Sequence, residues 1–285
     1  MTLYSIEGNA YRLDGGAMFG NAPKALWEQW LPADSRNRVR LATRPLLART
    51  AHHLVLIDAG TGAYMEPKYR DRFGVEDSGH TLLSSLAALG IAHTDVTHVI
   101  LSHLHFDHAG GLLSAWREGE EPELLFPNAE YFVSRDAWER ALHPHVRDRA
   151  SFIPLLNSRL EASGRLRTIT RDAQLAIDEL HAGFFQSDGH TPGLLCVDLR
   201  WEGKRAVFAS DLVPGRAWVH LPITMGYDRY PELLITEKQQ LLTSIAEDDA
   251  WLCYVHDPEM AASKVKIDEE HKTFSAYEPA KECRL

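Results

Sequence analysis

The sequence predicts an α/β fold, and three observations about its residue pattern support this prediction. Short apolar runs bounded by polar or glycine residues recur along the chain, as is typical of buried strands. These runs alternate with longer segments whose leucines repeat at helical spacing, such as residues 81–89 before Gly90. The 285 residues contain no internal repeat, low-complexity tract or clean linker. We therefore expect one domain over residues 1–285 that combines strands and helices.

The segment before residue 45 is the least regular part of the pattern. Residues 1–14 are predicted to form a first strand, and residues 14–20 a glycine-rich loop. That loop carries Met18 and Phe19, and it is interpreted either as a mobile loop or as a lid whose apolar side chains face a substrate. Residues 21–44 are predicted to be partly helical, and the length of this segment leaves open a dimer contact.

The remaining elements are predicted from apolar runs, caps and turns. The expected strands lie at residues 46–48, 53–57, 99–101, 131–133, 195–199, 205–209 and 251–255. The expected helices lie at residues 81–89, after an N-cap at Ser134, at 151–166 and at 236–246, the last with a capping box of Thr236 and Gln239. The polar residues 259–285 are expected to form a short helix and a tail.

Four metal-capable side chains lie within residues 103–108, directly after the apolar run 99–101. In an extended segment His103 and His105 point to the same side, so they can chelate one ion. Asp107 and His108 are adjacent and diverge, so they would serve a second ion beside the first. Imidazole and carboxylate ligands without a nearby thiol suit zinc, with iron and manganese as competitors. The alternative is a solvated histidine-rich turn, which this spacing behind a buried strand disfavours.

Further metal-capable side chains follow other predicted strands. His190 lies in a loop whose glycine and proline residues can hold the imidazole in one pose. Asp211 and His256 each come directly after an apolar strand. Loops at one edge of a sheet commonly build sites, so we expect these side chains to join the 103–108 cluster and complete two ion sites. Asp58 is either a hydrogen-bond partner of a ligating histidine or the carboxylate of an Asx-turn.

Composition excludes several classes of partner. The net charge of −10 argues against nucleic acid and against an anionic membrane surface, since both are bound by Lys and Arg clusters. The three cysteines Cys196, Cys253 and Cys283 have no CxxC spacing, which favours a reducing compartment. The N-terminus does not resemble a signal peptide, and no run reaches the ~18 apolar residues of a membrane span. We expect a cytoplasmic protein that acts on a small molecule.

The ordered motifs resemble those of the metallo-β-lactamase superfamily over most of the chain. The matching positions are residues 56–60, the His103-x-His105-x-Asp107-His108 motif, residues 189–193, Asp211 and His256. The resemblance implies an αββα four-layer sandwich, in which two mixed sheets are flanked by helices and a dinuclear site lies at one sheet edge. It implies one ion on His103, His105 and His190, and another on Asp107, His108 and His256. Asp211 would bridge the two ions.

Within the superfamily the chain is similar to the quorum-quenching N-acyl homoserine lactone lactonases, a branch that also contains organophosphate hydrolases. Residues 14–20, 225–228 and 256–258 carry this likeness. It implies a hydrolase that opens a lactone ring by attack of a metal-bridging hydroxide, which two close ions make available at neutral pH. Asp107 and Asp211 are the expected catalytic carboxylates, with Asp107 passing a proton to the leaving group.

One departure from that branch concerns the substrate contacts. Several lactonases carry a tyrosine three residues after the bridging aspartate, and Pro214 stands at that position here. Tyr227 or Tyr230 could supply a phenol instead. The side chains expected to cover an acyl chain are those of Met18, Phe19 and Trp218.

Other activities use similar ligand sets. A phosphotriester, another ester or a thioester could be hydrolysed at the same site, and cobalt could replace zinc. A glyoxalase II would need a basic glutathione-binding region, for which Lys264 and Lys266 are thin support. The ligand residues alone do not distinguish a two-ion hydrolase from a persulfide dioxygenase that binds one iron. A flavodiiron protein is disfavoured, because those proteins carry a carboxylate at the position of His105. A nucleic-acid-processing member of the superfamily is disfavoured by the acidic net charge.

Overall fold

The computed structural model describes residues 1–268 and 270–285, and it contains two large β-sheets and one small one. The strands are β1 Thr2–Ser5, β2 Tyr11–Asp14, β3 Arg38–Leu41, β4 Leu46–Arg49, β5 Leu54–Ile57, β6 His98–Ile100, β7 Glu130–Ser134, β8 Leu166–Ile169, β9 Gln174–Ile177, β10 Leu180–Ser187, β11 Leu194–Trp201, β12 Lys204–Phe208, β13 Trp251–Cys253, β14 Ala262–Asp268 and β15 Thr273–Ala280. The α-helices are α1 Gly15–Phe19, α2 Lys24–Trp27, α3 Pro67–Arg72, α4 Thr81–Ala88, α5 Phe106–Ala109, α6 Arg135–Leu142, α7 Pro154–Ala162 and α8 Pro231–Glu247. Short 3₁₀ turns lie at His93–Asp95, Gly110–Leu112, Arg149–Ser151, Ser210–Leu212 and Arg216–Val219.

Both large sheets are mixed. The first has six strands in the order β1-β4-β5-β6-β7-β8, with antiparallel pairing from β1 to β5 and parallel pairing from β5 to β8. The second has seven strands in the order β15-β14-β13-β12-β11-β10-β9, in which β12 and β13 pair in parallel and the other neighbours are antiparallel. Strands β2 and β3 form the small antiparallel sheet.

Side-chain alternation along the strands explains the four layers. In β5, Val55 and Ile57 belong to a core cluster that also contains Val197 and Phe208 of the second sheet, so these residues lie between the sheets. Leu56 points the other way and joins a second core cluster that contains residues of α4 and α8. Because successive side chains of a strand face opposite sides, each sheet has one face for its partner sheet and one for helices. The predicted αββα architecture is confirmed.

The structure corrects the predictions for the N-terminal region. Residues 1–14 form two strands, β1 in the first large sheet and β2 in the small sheet, rather than one strand. The expected glycine-rich loop at residues 14–20 is the short helix α1, whose N-cap Asp14 accepts a hydrogen bond from the Ala17 amide. Gly15 and Gly16, which indicated a loop, are tolerated in α1 because the helix is only five residues long and the Asp14 side chain satisfies the Ala17 amide. Between residues 21 and 44 lie α2 and β3.

Two predictions for the C-terminal half are also wrong. Helix α8 begins at Pro231, and Thr236 lies inside it with its hydroxyl donating to the Glu232 carbonyl, so Thr236 is no cap. Proline suits the first helical position because its missing N–H is not needed there. Within the polar segment 259–285, for which a helix and tail were expected, Ala262–Asp268 and Thr273–Ala280 form β14 and β15 at one side of the second sheet, and residue 269 lies outside the described residues. Both strands leave several polar side chains exposed to water, and this hides the strand pattern.

The remaining predicted elements agree with the structure apart from their ends. The predicted strands before and after residue 50 are β4 and β5, and the hairpin after residue 193 is β11 and β12. The predicted helix at residues 151–166 is shorter, because α7 ends at Ala162 and Leu166 already belongs to β8. Ser134 caps α6 by accepting a hydrogen bond from the Ala137 amide, as predicted. Within the described residues, no helix has the length and apolarity needed to cross a membrane.

Gly111 allows the backbone to approach β5 closely beside the histidine cluster. A Cβ atom at residue 111 would lie 2.0 Å from the Ala59 carbonyl oxygen. We expect Gly111→Ala to lower the free energy of unfolding by about 1–3 kcal/mol, because the backbone must move to relieve the overlap. The measurement is a thermal melt against the control Gly79→Ala, since a Cβ at residue 79 meets nothing within 4 Å. Equal Tm values for the two variants would contradict this prediction.

Candidate metal centre

Seven histidine and aspartate side chains meet at one edge of the two large sheets. Each lies just beyond the end of a strand: His103 and His105 in the loop after β6, Asp107 and His108 in the short helix α5 that follows this loop, His190 after β10, Asp211 after β12 and His256 after β13. All seven side chains are buried. The strands therefore bring together, from four separate places in the chain, every residue that the sequence predicted for this cluster.

The seven side chains form two groups with metal-ligand geometry. In the first group His103, His105, His190 and Asp211 each offer one ligand atom, and these atoms lie within 4.8 Å of one another. The second group, with atoms equally close together, consists of Asp107, His108 and His256.

Asp211 lies between the two groups and faces both. Its Oδ2 is 3.1 Å from His190 Nε2 and 3.3 Å from His108 Nε2. Its Oδ1 is 3.1 Å from His256 Nε2. One carboxylate thus presents an oxygen to each group, which is the arrangement that a bridging ligand needs.

The centre contains buried polar atoms that the protein itself leaves unsatisfied. Among the described residues, His103 Nε2, His105 Nε2 and Asp211 Oδ1 are buried and have no hydrogen-bond partner. Leaving such an atom without a partner costs about 1–3 kcal/mol, so native proteins rarely tolerate three of them side by side. Imidazole nitrogens and carboxylate oxygens that converge in this way fit divalent metal ions of the zinc type.

Hydrogen bonds at the far side of three imidazole rings turn the rings toward the centre. His108 Nδ1 lies 2.8 Å from Asp58 Oδ2, His190 Nδ1 lies 2.9 Å from Asp228 Oδ1, and His256 Nδ1 lies 2.8 Å from the Ala42 carbonyl oxygen. Each contact leaves the Nε2 atom free to face the group of ligands, as is usual for histidines that bind metals.

The role of Asp58, which the sequence left open, is that of a buried partner of His108. The carboxylate also accepts hydrogen bonds from the Ser102 amide and hydroxyl, both at 2.7 Å. It therefore ties the end of β6 to the histidine cluster. The role of Asp228 was missed, although this residue belongs to a stretch that the sequence analysis had singled out. Its second oxygen accepts a hydrogen bond of 2.6 Å from the Met225 amide.

Burial and mutual charge set the protonation of the centre. Burial lowers the pKa of His103 well below its usual value and that of His105 to about 3, so both imidazoles are neutral at pH 7. Burial alone would raise the pKa of Asp211, but the His108, His190 and His256 rings hold it well below the usual range. Burial alone would lower the pKa of His108 and of His190, but the charge of Asp211 beside them raises both. A metal ion that binds these two imidazoles would therefore displace a proton, since imidazoles bind metal in their neutral form.

Comparison with known proteins agrees with this geometry. A family model described as the metallo-beta-lactamase superfamily matches residues 43–256, which is most of the chain. The chain belongs to the metallo-beta-lactamase superfamily. The matched range contains all seven side chains of the centre. Consistent with this membership, the protein is a metal-dependent hydrolase.

Relatives within the superfamily include both lactonases and a nuclease. An N-acyl homoserine lactonase of Bacillus thuringiensis is 27% identical over 232 residues, which are 76% of this chain and 82% of the lactonase. A ribonuclease of Thermus thermophilus is 32% identical over 126 residues, which are 44% of this chain but only 28% of the ribonuclease. The chain therefore spans about a quarter of that ribonuclease.

Solved structures share the fold over nearly the whole chain. A probable metal-dependent hydrolase from Staphylococcus aureus superposes with a TM-score of 0.83 at 28% identity, covering 97% of this chain and 96% of its own. The dizinc quorum-quenching lactonase AidC, in complex with a product, superposes with a TM-score of 0.76 at 21% identity, covering 96% and 93%. At 21% identity, the likeness to AidC shows a shared fold.

A cavity of about 390 Å³ opens directly onto the candidate metal centre. His105, Asp107, His190, Asp211 and His256 form its floor. Its walls are mostly apolar or aromatic. They consist of Tyr11, Leu13, Met18, Phe73, Phe106, Ala150, Met225, Gly226 and Tyr227, together with the polar or charged Arg72, Arg147, Asp148 and Ser151. A cavity of this size with an apolar wall and a polar floor suits a small organic molecule.

Only some of the predicted substrate-contacting residues line this cavity. Met18 and Tyr227 do. Phe19 and Trp218 do not line this cavity, because both are buried and stack on each other with ring centroids 4.6 Å apart. The Trp218 indole donates to the Met18 carbonyl oxygen at 3.2 Å, so this pair supports the backbone behind Met18.

The phenols near the centre also differ from the prediction. Tyr230 is 52% exposed and does not line the cavity. Pro214 has a structural contact, since its carbonyl oxygen accepts a hydrogen bond of 2.8 Å from the His256 amide. The phenol that reaches the ligands is Tyr11, whose hydroxyl donates to Asp107 Oδ2. Tyr11 could not be identified from the sequence, because it is one aromatic residue of a short strand and no local pattern marks it.

Proposed function

We propose that the protein hydrolyses the lactone ring of N-acyl homoserine lactones with the help of two bound divalent ions. The observation that carries this proposal is the complete seven-residue centre around Asp211, which forms the floor of a cavity with apolar walls. The Bacillus lactonase, similar over most of its length, supports the choice of substrate class. Zinc is the proposed metal, and iron, manganese and cobalt are the alternatives.

The two groups of ligands define the proposed metal contacts. His103, His105 and His190 would hold one ion, Asp107, His108 and His256 would hold the other, and Asp211, which faces both groups, would serve both. When bound, a pair of divalent ions supplies a water of lowered pKa as nucleophile and polarises the substrate carbonyl. No serine or cysteine nucleophile is then needed.

The chain's own residues orient the substrate and move a proton. Ring opening forms a bond from the water oxygen to the carbonyl carbon and breaks the bond from that carbon to the ring oxygen. The leaving ring oxygen must gain a proton, and the attacking water must lose one. The Asp107 carboxylate, which lines the cavity floor, is the proposed carrier of that proton. Met18 and Tyr227 are the proposed contacts for the acyl chain.

The decisive experiment combines metal analysis with a substrate panel. We expect close to two metal ions per chain, mainly zinc, and opening of acyl homoserine lactones well above the rate of the metal-free protein. The same preparation is assayed with paraoxon-like phosphotriesters and S-lactoylglutathione, which represent the alternative hydrolases of the same site. No lactone opening above background would overturn the proposed substrate, whereas a single iron ion per chain would overturn the two-ion site.

A further inference from the structure

The small sheet formed by β2 and β3 contacts two of the three ligands in the second group. Tyr11, on β2, donates a hydrogen bond from its hydroxyl to Asp107 Oδ2. Ala42, the residue after β3, accepts a hydrogen bond of 2.8 Å from His256 Nδ1 and donates one of 3.2 Å to the His256 carbonyl oxygen. Neither strand belongs to a large sheet. Support for this group therefore comes from an element separate from the strands that deliver the ligands.

Tyr11 is held firmly in the position from which it reaches Asp107. The residue is fully buried, and its backbone pairs with Leu41 across the small sheet. Its ring packs edge-on against His256, with centroids 5.7 Å apart, and against Phe106, with centroids 5.9 Å apart. A buried ring with contacts on two sides has little freedom, so the hydroxyl is a fixed donor.

Asp107 depends on that donor for its orientation. No other hydrogen bond to the Asp107 carboxylate is found in the part of the chain that the structure describes. The Oδ2 atom that accepts the phenol proton lies 3.6 Å from His256 Nε2 and 3.9 Å from His108 Nε2. The same oxygen is therefore aimed at the second group. Without the phenol, the carboxylate could rotate toward the open cavity that it also lines.

We infer that Tyr11 is a positioning residue that fixes Asp107 and thereby sets the affinity of the second metal ion, independently of the first. This inference rests on the two-ion site of the proposed function. The first group has a different support, because His190 is oriented by Asp228 from the loop before α8. Although Asp211 faces both groups, Asp107 and His190 are oriented from two separate structural elements, so the two affinities should respond to different substitutions.

The test compares Tyr11→Phe, Asp228→Asn and Tyr131→Phe in the full-length protein. Each variant is stripped of metal and titrated with Zn²⁺ against a chromophoric chelator. Tyr11→Phe keeps the ring and removes the hydroxyl. We expect it to lower the affinity for the second ion by about 10-fold or more and to leave the affinity for the first ion unchanged. Asp228→Asn should weaken the ion at His190. Tyr131→Phe removes a phenol that donates to the Leu125 and Phe126 carbonyls, away from the centre, and should change neither affinity.

Rescue by metal separates this role from a substrate contact. If Tyr11 acts through the second ion, excess Zn²⁺ restores most of the kcat of Tyr11→Phe. Wild-type affinity for both ions in Tyr11→Phe, equal weakening of both ions, or a loss of kcat that zinc does not restore would each overturn the inference. None of these results affects the proposed function, which fails separately if the wild-type protein binds fewer than two ions or opens no lactone.

Discussion

Replacing Asp211 with Asn should lower kcat for lactone opening by about 10³-fold or more, with the fold preserved. Asp211 is the side chain that presents one oxygen to each ligand group, at 3.1 Å from His190 Nε2 and 3.1 Å from His256 Nε2. An amide of the same size keeps the packing, but it removes the negative charge and turns one oxygen into a nitrogen donor. Removing a single preorganised polar group from a buried site lowers kcat by roughly 10²–10³-fold. The Asp211 carboxylate is expected to serve both ions, so its loss should cost at least as much.

The measurement for Asp211→Asn combines kinetics with metal content. Asp249→Asn is a suitable control, because Asp249 is an exposed carboxylate paired with Lys264 at the protein surface. The control should keep both metal ions and wild-type kcat, and circular dichroism should show that both variants are folded. If Asp211→Asn retains two ions and a tenth or more of wild-type kcat, Asp211 does not bridge the two ions.

Removal of metal with a chelator is the second change from which we expect a large effect. It should abolish activity and lower Tm markedly, and Zn²⁺ should restore both. The protein without metal keeps seven buried ligand side chains together, including three polar atoms without a hydrogen-bond partner in the described chain. A ligand present at 1,000 times its Kd stabilises the folded state by about 4 kcal/mol, and two ions contribute more than one.

Thermal melts with and without chelator measure this stabilisation. Each kcal/mol shifts Tm by roughly 2–4 °C for chains of 150–250 residues, so a loss of order 10 °C is expected here. The control is the same chelator added together with an excess of Zn²⁺, which separates metal removal from any direct effect of the chelator. An unchanged Tm in metal-free protein would mean that the seven side chains do not hold structural metal.

The metal centre could be predicted from sequence because its signals are local. Each ligand lies within a few residues of an apolar run, and a strand that ends in a loop is recognisable from about five to ten residues. The cluster at residues 103–108 also has an informative spacing, since His103 and His105 belong to the first group while Asp107 and His108 belong to the second. For these residues, local pattern and tertiary position agree.

The predictions that failed concern contacts between distant segments. Tyr11 and Asp107 are 96 positions apart, so nothing near either residue indicates their hydrogen bond. Phe19 and Trp218 were expected at the substrate as apolar residues of predicted loops, yet they stack on each other in the core and do not line the cavity. Strands β14 and β15 were missed for a local reason, because each leaves polar side chains exposed to water and so carries a pattern that resembles a tail.

The division of the ligands between two ions was implied by the resemblance to the superfamily, whereas the amino-acid sequence by itself determined the α/β class, the residues of the metal cluster and the kind of chemistry. These depend on short-range pattern: alternation along strands, residues at strand ends and the spacing of imidazoles. Tertiary structure alone decided which side chains orient those ligands and which ones line the cavity. The support of Asp107 by Tyr11 and of His190 by Asp228 arises only when separate segments are packed together, because hydrogen-bond partners are selected by distance in space and not by position along the chain.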